Sequence, residues 1–134
     1  AAILTEEIKK HPQAEIIADP SEKEMTRLVA EARINLLLTF QRTGIKLKLI
    51  HALSGGNGHC LVNSPMLTDE SLRTLCHVAD TPEALARQIK ELMNRAPGKE
   101  ELTNRANTLQ QIYNNRSNAL QLIQFIESFE ETTD

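Results

Sequence analysis

The sequence predicts an α/β fold, with helices around a mostly parallel sheet of three or four strands. Residues 34–40, Ile-Asn-Leu-Leu-Leu-Thr-Phe, form a nearly continuous apolar run. An exposed strand would alternate, so such a run fits a strand covered on both faces, as in a parallel sheet. Strand-like runs also alternate with segments whose apolar residues recur at helical spacing, which implies parallel pairing and right-handed crossovers.

The elements follow in order. Ile3 to Lys10 reads as the end of a helix, with Ile3, Leu4 and Ile8 as a short stripe and Pro12 as its stop. Residues 14–18, Ala-Glu-Ile-Ile-Ala, read as a short strand closed by Asp19-Pro20. Ser21 and Glu24 match a capping box, and Met25, Leu28, Val29 and Ala32 supply the helical face behind it. After the 34–40 strand, Thr43-Gly44 reads as a turn into an amphipathic helix. Ile45, Leu49, Ala52 and Leu53 are its inner face, and Gly55, Gly56 and Gly58 are its stop. Residues 59–62 are the next buried strand, broken by Asn63-Ser64-Pro65. One helical turn is expected from Thr68-Asp69, then a short strand over 75–79. Thr81-Pro82-Glu83 is a strong helix start, with a cap residue, Pro at the first helical position and an acid in the first turn. Two further helices are expected, one from about Lys99 and a final one from about Asn115 to Glu130.

The turn after the 34–40 strand is the natural place for a ligand. It sits at the carboxyl end of a parallel strand, where ligand crevices form. It is expected to present Thr43 and the N–H groups of Gly44 and Ile45 at a helix N-terminus, which favours anions. Thr43 is read first as an N-cap, a role compatible with contact to a phosphate. Arg42, Lys46 and Lys48 are candidate cations for a bound phosphate, weighed against roles as solvated loop and helix charges. His51 is read as a partly buried structural histidine.

Composition narrows the function. At 134 residues the chain fits one domain with one core. Aromatics are 3% with no Trp, which argues against a stacking surface for single-stranded nucleic acid. Net charge is −3, so no global basic footprint exists for nucleic acid. No apolar run approaches the ~20 residues of a membrane span, and a cytoplasmic location is the default. Cys60 and Cys76 lie in apolar runs and read as reduced core thiols. His59 and His77 beside them invite a zinc reading. Successive strand residues point to opposite faces, however, and the short two-cysteine loops of zinc sites are missing, so no metal is expected.

Residues 43–56, Thr-Gly-Ile-Lys-Leu-Lys-Leu-Ile-His-Ala-Leu-Ser-Gly-Gly, followed by Cys60-Leu61-Val62, resemble the C-terminal nucleotide-sugar-binding domain of GT-B-fold glycosyltransferases. That family shows a Gly-(Ile/Leu) turn, an apolar helix, Glu-Ala-(Leu/Met)-Ala-x-Gly and a buried strand. The stretches from Pro20 to Leu37 and from Val78 to Ala86 resemble its preceding and following units. The likeness covers about residues 14–130. It implies a single partial Rossmann-like domain over residues 1–134 that binds a nucleotide-sugar donor. Its donor diphosphate and ribose would lie against Arg42, Thr43, Gly44, Ile45, Lys46 and His51. The acceptor, a sugar or a lipid, would be held elsewhere, and the resemblance implies no cofactor.

Two departures accompany it. Retaining members carry a Glu-x7-Glu pair, and here Thr43 and His51 hold those positions. Two strands that open the family's domain, with the basic pair that holds the diphosphate, would precede Ala14. The chain is therefore expected to be part of a longer enzyme and inactive alone. Without those central strands the 34–40 strand is expected to have a bare edge. Either residues 14–18 pair there or a second copy does, and the balance favours a homodimer. The alternative reading is a non-catalytic α/β module that binds phosphate or a protein partner.

Overall fold

The computed structural model describes residues 2–44 and 46–131. The elements are α1 (Ala2–Ile8), α2 (Glu22–Glu31), β1 (Ile34–Leu37), α3 (Leu47–Gly55), β2 (His59–Val62), β3 (His77–Val78), α4 (Pro82–Leu92) and α5 (Lys99–Glu131). Two 3₁₀ turns, Ser64–Met66 and Glu70–Leu75, link β2 to β3. The fold is α/β with a three-stranded parallel sheet in the order β1-β2-β3. Ile34 pairs with His59, Leu37 with Val62, and Val62 with Val78.

Local chemistry sets the helix starts. Ser21 Oγ accepts from Glu24 N at 3.1 Å and caps α2. The Glu24 carboxylate turns instead to Arg27, at 2.6 Å. Thr81 Oγ1 accepts from Ala84 N at 3.1 Å, with Pro82 opening α4. Asp69 caps the second 3₁₀ turn through Ser71 N.

All four residues of β2 are buried. Cys60 and Val62 join the main core with Leu49, Ala52 and Leu53 of α3, Met66, Leu67, Leu72 and Leu75 of the link, and Leu109 of α5. Leu61, also fully buried, stands outside that cluster, as its opposite side on the strand requires. α4 packs against β2.

Four expectations are corrected. Residues 14–18 form no strand; Ile16 and Ile17 are exposed, and the run ends at Asp19 with φ 46°. So short a run gains nothing from extended geometry without a pairing partner. The 34–40 run is not covered on both faces. Regular pairing stops at Leu37, Leu37 packs on the core, and Leu36, Leu38 and Phe40 are exposed on the alternate side, Phe40 at 98%. β1 is an edge strand, and its outer edge pairs with nothing among the described residues. The two C-terminal helices are one helix, α5. Asn114 and Asn115 carry neither the Pro nor the Gly needed to stop it. Finally, the helix after the 43–46 turn starts at Leu47, with Lys46 in the cap position and not Thr43.

Among the described residues no helix is long and apolar enough to cross a membrane.

Candidate functional site

The carboxyl ends of the three parallel strands converge on one polar surface. The loop of residues 38–46 leaves β1, Asn63-Ser64 leaves β2, and Ala79-Asp80 leaves β3. Asn63 joins the first two. Its Oδ1 accepts from Thr39 N at 3.1 Å and its Nδ2 donates to Thr39 O at 2.8 Å. Asp80 joins the last two, because its carboxylate accepts from Ser64 N at 2.8 Å and from Ser64 Oγ at 2.5 Å. Those bonds hold the Asp80 carboxyl below its ordinary value, with smaller help from the positive fields of Arg42 and Arg73. Arg42 therefore stands on the same surface as Asp80, although 38 positions separate them in sequence.

The expected site residues do not share one environment. Arg42 is exposed, and among the described residues its guanidinium has no hydrogen-bonding partner. Lys46 is half-buried, and its ammonium is already engaged: Nζ donates to Gln41 O at 2.6 Å and to Thr43 O at 3.0 Å. It laces the loop from within, so of these two cations Arg42 is the available one. Thr43 and Gly44 are exposed, with no other element over them. Gly44 has φ 90°, a conformation an L side chain rarely adopts. Ile45 lies outside the described residues.

His51 belongs elsewhere. It is exposed, not partly buried, and it lines a groove of 260 Å³ between α2 and α3 with Met25, Thr26, Val29, Ser54 and Gly55. The groove walls include no residue of the 38–46 loop.

Both cysteines are free. Burial pushes the Cys60 thiol up to about 11 and the Cys76 thiol up to about 12. Neither is a ready nucleophile at neutral pH. Among the described residues no three His, Cys, Asp or Glu side chains gather as metal ligands.

Sequence reasoning weighed His59 and His77 only as metal ligands and missed the polar cluster they form with Arg105 at the amino ends of β2 and β3. His59 and His77 open those strands, and their rings meet edge to face at 5.2 Å. Arg105 of α5 reaches the same place. The available signal was a charged residue three positions from Leu102 and four from Leu109, on the apolar side of a helix.

The Asp80 bonds give a pH-dependent expectation. A lowered folded-state value contributes stability above the unfolded value of 3.8, and that stability is lost as pH falls through the folded value. Asp80→Asn is expected to flatten this part of the acid limb, read as urea midpoints between about pH 5 and about pH 2. An unchanged limb would mean that the Ser64 bonds do not persist in solution.

No family model, no curated protein and no solved structure matches the chain.

Proposed function

We propose that the chain is the donor-binding part of a GT-B-fold glycosyltransferase, holding the diphosphate of a nucleotide-sugar at the loop between β1 and α3. The observation that carries this reading is Arg42. It is an exposed guanidinium, without a hydrogen-bonding partner among the described residues, at the carboxyl end of a parallel strand. Ligands of open parallel sheets sit outside those ends, and a planar guanidinium suits two phosphate oxygens at once. Three consecutive parallel strands with flanking helices fit part of a Rossmann-like sheet.

In this reading Arg42 meets the diphosphate and Gly44 lets the backbone approach it. Lys46 keeps the loop closed on itself by gathering the carbonyl oxygens of Gln41 and Thr43. Transfer proceeds because positive charge stabilises the departing diphosphate, while the acceptor sits on a domain outside these residues. The chain alone then binds donor but transfers no sugar. A second copy pairing on the free edge of β1 is the self-association this reading allows.

The test is a titration of the protein with a panel of nucleotide-sugars, followed by the amide signals of residues 40–48. At least one member should give saturable shifts there. Arg42→Gln should weaken that binding about tenfold or more, the loss of one charged hydrogen bond of about 1.5–3 kcal/mol. A panel that leaves these signals unmoved overturns the proposal. Equal affinity for inorganic phosphate and for every nucleotide-sugar favours the non-catalytic phosphate-binding module instead.

A further inference from the structure

The amino ends of β2 and β3 lie apart from the loop of residues 38–46. A cavity of 240 Å³ opens there, and its walls include His59, His77, Arg95, Glu101, Asn104 and Arg105. Arg105 is only 7% exposed. Its guanidinium donates to Gly58 O at 3.0 Å and to Gly56 O at 3.4 Å, and among the described residues it has no carboxylate partner. Buried charges are ordinarily paired. The carbonyls at the end of α3 answer part of this charge, through the negative end of the helix dipole. The nearby carboxylate, Glu101, is taken by Arg95 at 2.9 Å.

His59 leaves a second deficit. It is fully buried, and its Nε2 lies 2.7 Å from Arg95 O. A carbonyl only accepts, so Nε2 carries the hydrogen. The other ring nitrogen, Nδ1, has no partner. Both residues border the cavity: Arg105 is a buried cation with no carboxylate partner among the described residues, and His59 Nδ1 is a buried acceptor with no partner.

We propose that this cavity binds a hydrogen phosphate group, whose ionised oxygen neutralises Arg105 and whose remaining hydroxyl donates to His59 Nδ1. The chemistry selects among small anions. Sulfate and carboxylates are fully ionised at neutral pH and offer no hydroxyl to the imidazole. Hydrogen phosphate supplies both groups. His77 fits as a sensor of the site. Burial, and then His59 and Arg95, hold its imidazole below the ordinary value, while Glu101 acts in the opposite sense and Arg105 in the same one. A bound anion would raise it.

The experiment is a phosphate titration of the whole chain at pH 7 and constant ionic strength, with sulfate and chloride in parallel arms. Phosphate should move the ring signals of His59 and His77 saturably, leave those of exposed His11 unmoved, and raise Tm by several degrees. Sulfate should do markedly less. Arg42→Gln should leave this response intact, which separates the cavity from the donor loop. Asn104→Asp places a carboxylate in the cavity wall, so it should abolish the phosphate response. Equal effects of phosphate, sulfate and chloride would overturn the proposal. So would a response that is lost in Arg42→Gln, or unmoved His59 and His77 signals in the unaltered chain.

Discussion

Gly58→Ala is expected to cost about 3 kcal/mol of folding stability, because its extra methyl group meets backbone and not a yielding side chain. A Cβ at this position would collide with the carbonyl oxygens of both Ala32 and Arg33. Those carbonyls cannot retreat. Arg33 O accepts from His59 N at 2.8 Å, in the step that starts the β1-β2 pairing. The Gly58 carbonyl is also the better of the two acceptors for Arg105. Relieving the collision would therefore disturb the sheet register and the α5 contact together. Gly55→Ala is the matching control. A Cβ there meets nothing within 4 Å, at the end of a helix. It should gain up to about 1 kcal/mol by reducing the freedom of the unfolded chain. Urea midpoints at unchanged slope measure both. A Gly58→Ala protein as stable as the unaltered chain would mean that α2 and β2 do not approach this closely.

Leu49→Ala is expected to cost about 3 kcal/mol, within the range found for buried leucines whose cavities cannot collapse. Leu49 is fully buried on the inner face of α3, and its cluster draws on α3, β2, the 3₁₀ link and α5. Four separate elements would have to move together to fill the space. Leu47, two positions earlier, is 63% exposed, and its truncation should change stability by less than about 0.5 kcal/mol. The contrast between the two, read in one denaturation series, tests which face of α3 points inward. Equal losses would mean the helix is rotated.

Much of this arrangement was legible in the sequence because it is encoded locally. Ser21, Thr81-Pro82 and Asp69 announce helical starts through side-chain oxygens that reach N–H groups two or three residues on. The apolar run Cys60-Leu61-Val62 marks a strand buried on both faces. What escaped depends on partners far away in the chain. Residues 14–18 have a strand-like composition but no strand beside them. Leu36, Leu38 and Phe40 look like core until the sheet is seen to leave one side of β1 open. The site was partly legible in the same sense. The loop at residues 42–46 lies at the carboxyl end of β1 as expected, but propensity alone could not show that the Lys46 ammonium folds back onto Gln41 and Thr43. His51 faces α2 because helical spacing turns it there. The His59–Arg95 and Arg105–Gly58 contacts join residues 36 and 47 positions apart, and no local pattern encodes them.

The strand order β1-β2-β3 has a consequence for how the chain is made. Each strand pairs with the next one to be synthesised, so the sheet can assemble from its N-terminal side as the polypeptide emerges. The closing pieces arrive late. Leu109 completes the core, and Arg105 grips the turn between α3 and β2, yet both lie on α5, which is translated after all three strands. A nascent chain that has reached β3 has all three strands but not the α5 side chain that completes the core. Exposure of that core ends only when α5 has left the ribosome and docked, and during that interval the half-built domain is most open to chaperones and proteases.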